Sequence, residues 1–156
     1  MSCTVEVVTV VRASREVLFD LELDMDAHSA SLAGTRETAV TSSGLPALRL
    51  GDHVTFTARH FGRPWRMTAQ VVEYQRPSRF VDEQVRGPFR SLRHEHEFTV
   101  IEPGSTRMRD RMTIALPLGL AGRAVARLVV GPYLARLLRQ RGQAVKAMAE
   151  AREPPT

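Results

Sequence analysis

The sequence predicts an α+β domain in which one strand and two short helices lead into a meander of about six further strands, closed by a long C-terminal helix. Two patterns carry this reading. From Thr35 to Leu116 apolar and polar residues alternate with a period of two, in runs divided by Gly, Pro and Ser clusters. After Pro117 the apolar residues recur at helical spacing as far as Met148.

The elements follow in order. Thr4 to Arg12 sets Val5, Val7, Thr9 and Val11 on one face, and its second face is also Val-rich, so a largely buried first strand is expected. Ser14 is a helix N-cap, with Glu16 in the first turn and Val17, Leu18 and Leu21 on the apolar side, giving a helix to about Leu21. Asp26 opens a second short helix that Gly34 ends. Strands then follow between breaks at Ser42-Ser43-Gly44, Gly62-Arg63-Pro64, Pro77-Ser78, Gly87-Pro88 and Pro103-Gly104. Val54, Phe56, Ala58 and His60 form one face of the first clear run, and Met67, Ala69 and Val71 one face of the next. In Phe80 to Val85 either set can point inward. The final helix meets Gly131-Pro132, where a missing donor and a ring clash predict a kink. Residues from about 152 onward, including the terminal Glu-Pro-Pro-Thr, are expected to fray.

At 156 residues the chain suits a single domain over 1–156. No run approaches the roughly 18 apolar residues of a membrane span, and no secretory leader is visible, so a cytoplasmic location is expected. Cys3 is the only cysteine, which excludes an intramolecular disulfide. The formal charge of +5 invites a nucleic-acid reading. The basic residues are nevertheless dispersed from Arg12 to Arg152, which disfavours nucleic acid as a partner. The densest group, on the last helix with Arg136, Arg139, Arg141 and Lys146, reads as a solvated face.

One constellation stands out. Leu92, His94, His96, Phe98 and Val100 alternate strictly with polar residues, and Met108, Asp110, Met112, Ile114 and Leu116 do so in the next run. Two histidines and an aspartate therefore join apolar faces. A three-residue loop Glu102-Pro103-Gly104, with Gly104 left-handed, sets Val100 against Thr106, Phe98 against Met108, His96 against Asp110 and His94 against Met112. A one-residue slip would set Phe98 against an outward Arg. The His96–Asp110 pair can satisfy itself within a greasy wall, anchor the polar part of a ligand, or orient an imidazole for acid–base chemistry. His94 and His96 are about 7 Å apart at their Cα atoms, yet no third ligand stands at a matching spacing, so no metal is expected.

This order of elements resembles the START-like helix-grip superfamily, also called SRPBCC or polyketide cyclase/dehydrase-like, over residues 3 to about 150. The stretch from Phe80 to Thr99, followed by Met108 to Gly122, is similar to a bacterial subgroup. It carries Asp82-Glu83-Gln84, Gly87-Pro88-Phe89, His94 and His96, an inward Asp110, and Pro117 in a turn. Leu92 stands where similar proteins often carry Trp. The resemblance implies a helix-grip fold, a curved sheet of about seven strands around the long helix, enclosing a cavity. It implies no particular reaction, since members include lipid carriers, hormone and alkaloid binders, aromatic polyketide cyclases, oxygenase domains and ribosome-associated proteins.

Three functions remain open. In the first, a noncatalytic binder takes a small apolar molecule among Phe56, Ala58, Met67, Ala69, Val71, Leu92, Phe98, Met108, Met112 and Leu128, anchored by His60, His94, His96 and Asp110. In the second, a polyketide cyclase or dehydratase uses His96, held by Asp110, to remove a proton beside a carbonyl while an Arg or Tyr stabilises the enolate. In the third, a basic module docks its final helix, through Arg136, Arg139 and Arg141, on RNA, ribosome or anionic lipid. No phosphate loop, activated nucleophile or cofactor fingerprint is present, and no cofactor is expected. The oligomeric state is left open.

Overall fold

The computed structural model describes residues 2–153. Strand β1 (Cys3–Val11) buries Val5, Val7, Thr9 and Val11 on one face, while Val8 and Val10 on the other are exposed, so this strand is half-buried and not largely buried. Helix α1 (Arg15–Glu22) is capped by Ser14, whose Oγ accepts from Val17 N. Helix α2 (Met25–Ser31) starts slightly earlier than expected, because Asp24, not Asp26, is the cap and turns its Oδ1 to the amides of Asp26 and Ala27. A 3₁₀ turn, Ala33–Thr35, follows.

Six strands complete the sheet: β2 (Thr38–Thr41), β3 (His53–His60), β4 (Arg63–Gln75), β5 (Arg79–Arg86), β6 (Ser91–Glu102) and β7 (Ser105–Ala115). The order is β1-β7-β6-β5-β4-β3-β2, antiparallel throughout. The β6–β7 register is the one the alternation selects, with Val100 on Thr106, Phe98 on Met108, His96 on Asp110 and His94 on Met112. The loop is shorter than expected. Glu102 pairs with Ser105 across Pro103-Gly104, and a bulge between Val100 and Glu102 absorbs the extra residue while Gly104 takes φ +77°. Further register shifts interrupt β4–β5 between Thr68 and Ala69 and between Val71 and Glu73.

On the outer face Arg79 pairs with Glu73, Glu95 and Glu97, Arg93 with Glu73 and Glu83, and Arg109 with Glu97. Val81, flanked in register by Glu73 and Glu95, is fully buried within this lattice. Arg79, Arg93 and Arg109 are thus locally neutralised on this face of the sheet.

The C-terminal helix runs in three parts: α3 (Gly119–Val125), a π turn (Ala126–Val130) and α4 (Gly131–Arg152). Pro132 has no N–H to give, and one residue before it the Gly131 amide reaches back five residues to the Ala126 carbonyl. The expected fault is present as a π bulge in a continuous helix. Leu138, Gly142, Val145 and Ala149 are buried along α4. Glu153 does not fray, since its carboxylate accepts from Ser14 N (2.6 Å) and Ser14 Oγ (2.9 Å) and ties the end of α4 to the start of α1. Residues 154–156, the rest of the expected tail, lie outside the described residues.

Gly142 lets α4 approach β1 closely, for a Cβ there would lie 2.7 Å from Thr9 Oγ1. Gly142→Leu is expected to destabilise the fold by about 1–3 kcal/mol through overpacking, measured by urea denaturation; unchanged stability would contradict this close contact.

Candidate functional site

Between the sheet and α4 lies a cavity of about 290 Å³. Its walls are mainly apolar, with Val54, Phe56 and Ala58 from β3, Met67 and Val71 from β4, Leu92 and Met112 from the central strands, and Leu134, Leu137 and Leu138 from α4. The loop before β6 adds Pro88 and Phe89. Gln84 positions that loop, because its Nε2 donates to Phe89 O (2.8 Å) while its Oε1 accepts from Phe89 N (3.3 Å). Gly87 leaves room for this arrangement, since a Cβ there would lie 2.4 Å from Gln84 Oε1 and 2.9 Å from Met67 Cγ and would make both side chains shift. This is the physical content of the Gln84 and Gly87-Pro88-Phe89 signals.

A charged floor closes the cavity. Phe80, Asp82 and Gln84 are the inward set of β5, which decides the strand the alternation left open. Asp82 lies cross-strand from His94 and Phe80 from His96. His96 Nε2 donates to Asp82 Oδ2 at 3.1 Å. Its Nδ1 lies 3.0 Å from Asp110 Oδ1 and 3.5 Å from Glu22 Oε2, ion-pair distances without hydrogen-bond alignment. The ring stacks on Phe80 (centroids 4.0 Å apart, 15° between planes) and touches the His94 ring at a centroid distance of 3.8 Å. His94 Nε2 is 3.2 Å from Asp110 Oδ1. Arg141 of α4 reaches in and pairs with Glu22 of α1, both buried.

The two histidines titrate in opposite directions. Burial opposes charge on His96, but Asp110, Asp82 and Glu22 together outweigh it and push its pKa up to about 10. For His94, burial and then the neighbouring His96 charge lower the pKa, and Asp110 compensates only in part. His96 is therefore an imidazolium at neutral pH and His94 a neutral imidazole. Burial would raise Asp82 and Asp110, yet the histidine contacts hold both below the ordinary carboxylate value. Burial likewise opposes charge on Arg141, and the Glu22, Asp110 and Asp82 carboxylates overcome it.

Toward the other end, His60 Nδ1 and the Tyr133 hydroxyl are hydrogen-bonded at 2.7 Å, and His28 pairs with Glu37 at 2.9 Å beside Phe56. All four polar residues line the cavity.

Of the residues the sequence nominates, Phe56, Ala58, His60, Met67, Val71, Leu92, His94, His96 and Met112 line the cavity. Ala69, Phe98 and Met108 do not, because they are packed into the main core with Phe19 and Val145. Asp110 sits behind the two histidines and off the cavity surface. Leu128 is corrected outright, being 77% exposed on the outer side of the π turn. Arg141 is also corrected, from a solvated basic face to a buried partner of Glu22. His96 already carries the proton that a general base would have to accept. The absence of a third metal donor is overturned as well, since Asp82 joins His94 and His96, and Glu22 joins His96 and Asp110, with donor atoms within 4.8 Å. Both sets fit a divalent ion in donor type, and either would need the ion to displace the strongly held His96 proton.

Glu22 goes unnoticed and Arg141 is assigned to the surface because each is a charged residue inside an apolar stripe. Glu22 follows Leu18 by four, and Arg141 lies three after Leu138 and four before Val145. That placement was the available signal.

Breaking the buried pair tests its weight. Arg141→Met is expected to cost roughly 3–5 kcal/mol by removing the cation hydrogen-bonded to buried Glu22 and leaving it only the more distant His96 charge, against less than about 0.5 for Arg139→Met on the exposed face; equal effects in denaturant unfolding would contradict the pairing. The pH dependence has a definite sign. The raised His96 pKa supplies stability that is complete below 6.5 and lost as pH rises through about 10, whereas the lowered Asp82 and Asp110 values supply stability present above 3.8 and lost as pH falls. The stability difference between wild type and His96→Gln should therefore shrink from pH 6.5 toward 10, and a constant difference would contradict the assignment.

The same architecture recurs among solved proteins. An aromatase/cyclase, ZhuI from Streptomyces sp. R1128, superposes with a TM-score of 0.78 at 14% identity, over 97% of this chain and 96% of its own. TTHA0849 from Thermus thermophilus gives 0.73 at 18% identity, over 94% and 99%. Norcoclaurine synthase from Thalictrum flavum, solved with dopamine and hydroxybenzaldehyde, gives 0.71 at 10% identity, over 100% and 90%. At these identities the likeness is one of fold. No curated protein matches by sequence. The family model described as polyketide cyclase / dehydrase and lipid transport matches residues 2–150, so the chain belongs to that family, on a START-like helix-grip fold.

Proposed function

We propose that the protein binds a small, largely apolar, flat molecule in the cavity, with the ligand's polar end on the floor made by Asp82, His94 and His96. The observation that carries this reading is an apolar cavity of about 290 Å³ that ends on buried, ionised groups. That volume is at the lower end of small-molecule pockets, which run from roughly 300 to 1,000 Å³. Burying charge beneath a greasy wall is costly unless the groups are mutually paired. The pairing here leaves Asp82 partly accessible from the cavity. The aromatic ligands of norcoclaurine synthase and the cyclase activity named for ZhuI are in keeping with a flat ligand.

A second reading, cyclase- or dehydratase-type chemistry, is favoured by one observation, the neutral His94 on the cavity surface with Asp110 behind it. In this reading His94, not His96, removes a proton beside a carbonyl, and the fixed positive charges of His96 and Arg141 stabilise the enolate. His94→Gln separates the two. Catalysis predicts a loss of about a hundredfold or more in turnover with ligand affinity little changed, and a carrier predicts that only affinity responds.

Native mass spectrometry of protein purified from its own host is expected to show one apolar passenger per chain. Ala58→Phe, which fills the cavity from β3, should abolish it while the protein stays folded. A wild type that is empty, or a passenger retained by the filled variant, would refute the reading.

A further inference from the structure

The rim of the cavity differs from the rest of the surface. Phe61 and Trp65, at the tip of the β3–β4 hairpin, and Val130 and Tyr133, where the π turn passes into α4, all line the opening. The Phe61 and Tyr133 rings lie 4.5 Å apart. Along the same helix the outer side is apolar, with Leu120 76% and Leu128 77% exposed and Val125 and Val129 about half exposed. Leu118, two residues past the lining residue Leu116, is 82% exposed. Solvated helix faces are ordinarily polar, and an apolar surface of this extent marks a binding face.

Backbone conformation reinforces the point. Phe61 has φ 53° and Leu118 φ 76°, the left-handed region that turns ordinarily fill with Gly or Asn. At both positions a bulky apolar residue accepts that conformation and is exposed.

Charge defines what this face meets. Between Asp52 and Glu73, the stretch containing the hairpin, there is no acidic residue, while Arg59, Arg63 and Arg66 are exposed. Between Asp110 and Glu150, a stretch that contains α3, the π turn and most of α4, there is again none, and Arg127, Arg136 and Arg139 are exposed. Exposed aliphatic and aromatic side chains flanked by arginines, with no acid among them, are the composition of a surface that lies in the interface of an anionic bilayer. Trp and Tyr at the rim suit the headgroup level.

We infer that the cavity rim, formed by the β3–β4 hairpin and the α3–π segment, docks on anionic lipid membranes, with the opening facing the bilayer. An apolar ligand would then pass between bilayer and cavity without crossing water. Docking does not depend on what the cavity holds.

The test uses flotation with vesicles of phosphatidylcholine alone, or mixed with phosphatidylglycerol in equal parts, and the emission of Trp65, the only tryptophan. Binding about tenfold or more tighter to the anionic vesicles is expected, with a blue shift of Trp65 and weakening by salt. The double variant Leu120→Asp, Leu128→Asp should lose this binding at an unchanged melting temperature. Ala58→Phe should keep it, which separates failure of docking from failure of ligand binding. No association of wild type with anionic vesicles would overturn the inference, as would undiminished binding by the Asp variant. A solution dimer dissolved by the same two substitutions, with no vesicle binding, would assign the face to a second copy and likewise overturn it.

Discussion

His96 is an imidazolium buried among three carboxylates, and the arrangement of the rest of the molecule follows from keeping it so. Glu22 comes from α1, Asp82 from β5, Asp110 from β7, and Arg141, which balances Glu22, from α4. No two of these elements are adjacent in sequence, so the cluster is satisfied only when helices and strands have all reached their native places. A buried charge left without its partner costs several kcal/mol, so a partly assembled cluster is unstable. Such a group favours one register and one seating of the helix, in contrast to a purely apolar interface that tolerates sliding.

The same cluster bounds the cavity. Glu22, Asp82, His94, His96 and Arg141 line one end of it, and the space above Asp82 and His94 is open. Bulges in β4–β5 and the π turn in the helix displace side chains from regular positions around that space. Beside it, Phe19, Phe80 and Phe98 pack edge to face and stacked, forming a core with Met108, and of these four Phe80 also lines the cavity. One inner surface thus divides into a filled half and an open half. The division runs along β6, where Phe98 is core and His94 is floor.

Most of the fold was legible because it rests on periodicity, and period-two alternation in β6 and β7 was strong enough to select the register pair by pair. The His96–Asp110 partnership followed from it. What escaped was the part of the site contributed by helices. Glu22 and Arg141 occupy apolar-stripe positions, but a single charged residue on a stripe is ordinarily assigned to the surface, and nothing local says that two such residues meet. Asp82 escaped because Phe80 to Val85 is buried on both faces at Phe80 and Val81, one beneath the sheet and one within the outer salt-bridge lattice, so alternation carries no sign there. Leu128 erred for the opposite reason, since helical spacing identifies a face without saying whether protein or solvent covers it. The division between filled core and open cavity, which removed Ala69, Phe98 and Met108 from the lining, depends on packing in three dimensions and has no one-dimensional signature.

The charged floor depends most directly on the protonation state of His96. Side-chain ¹⁵N NMR of the two histidines at about pH 8, well above the ordinary imidazole value, reads it without perturbing the protein. The structure predicts both nitrogens of His96 protonated and a neutral His94 beside it. A neutral His96 at that pH would contradict the buried ion cluster and with it the charged floor on which the ligand reading depends.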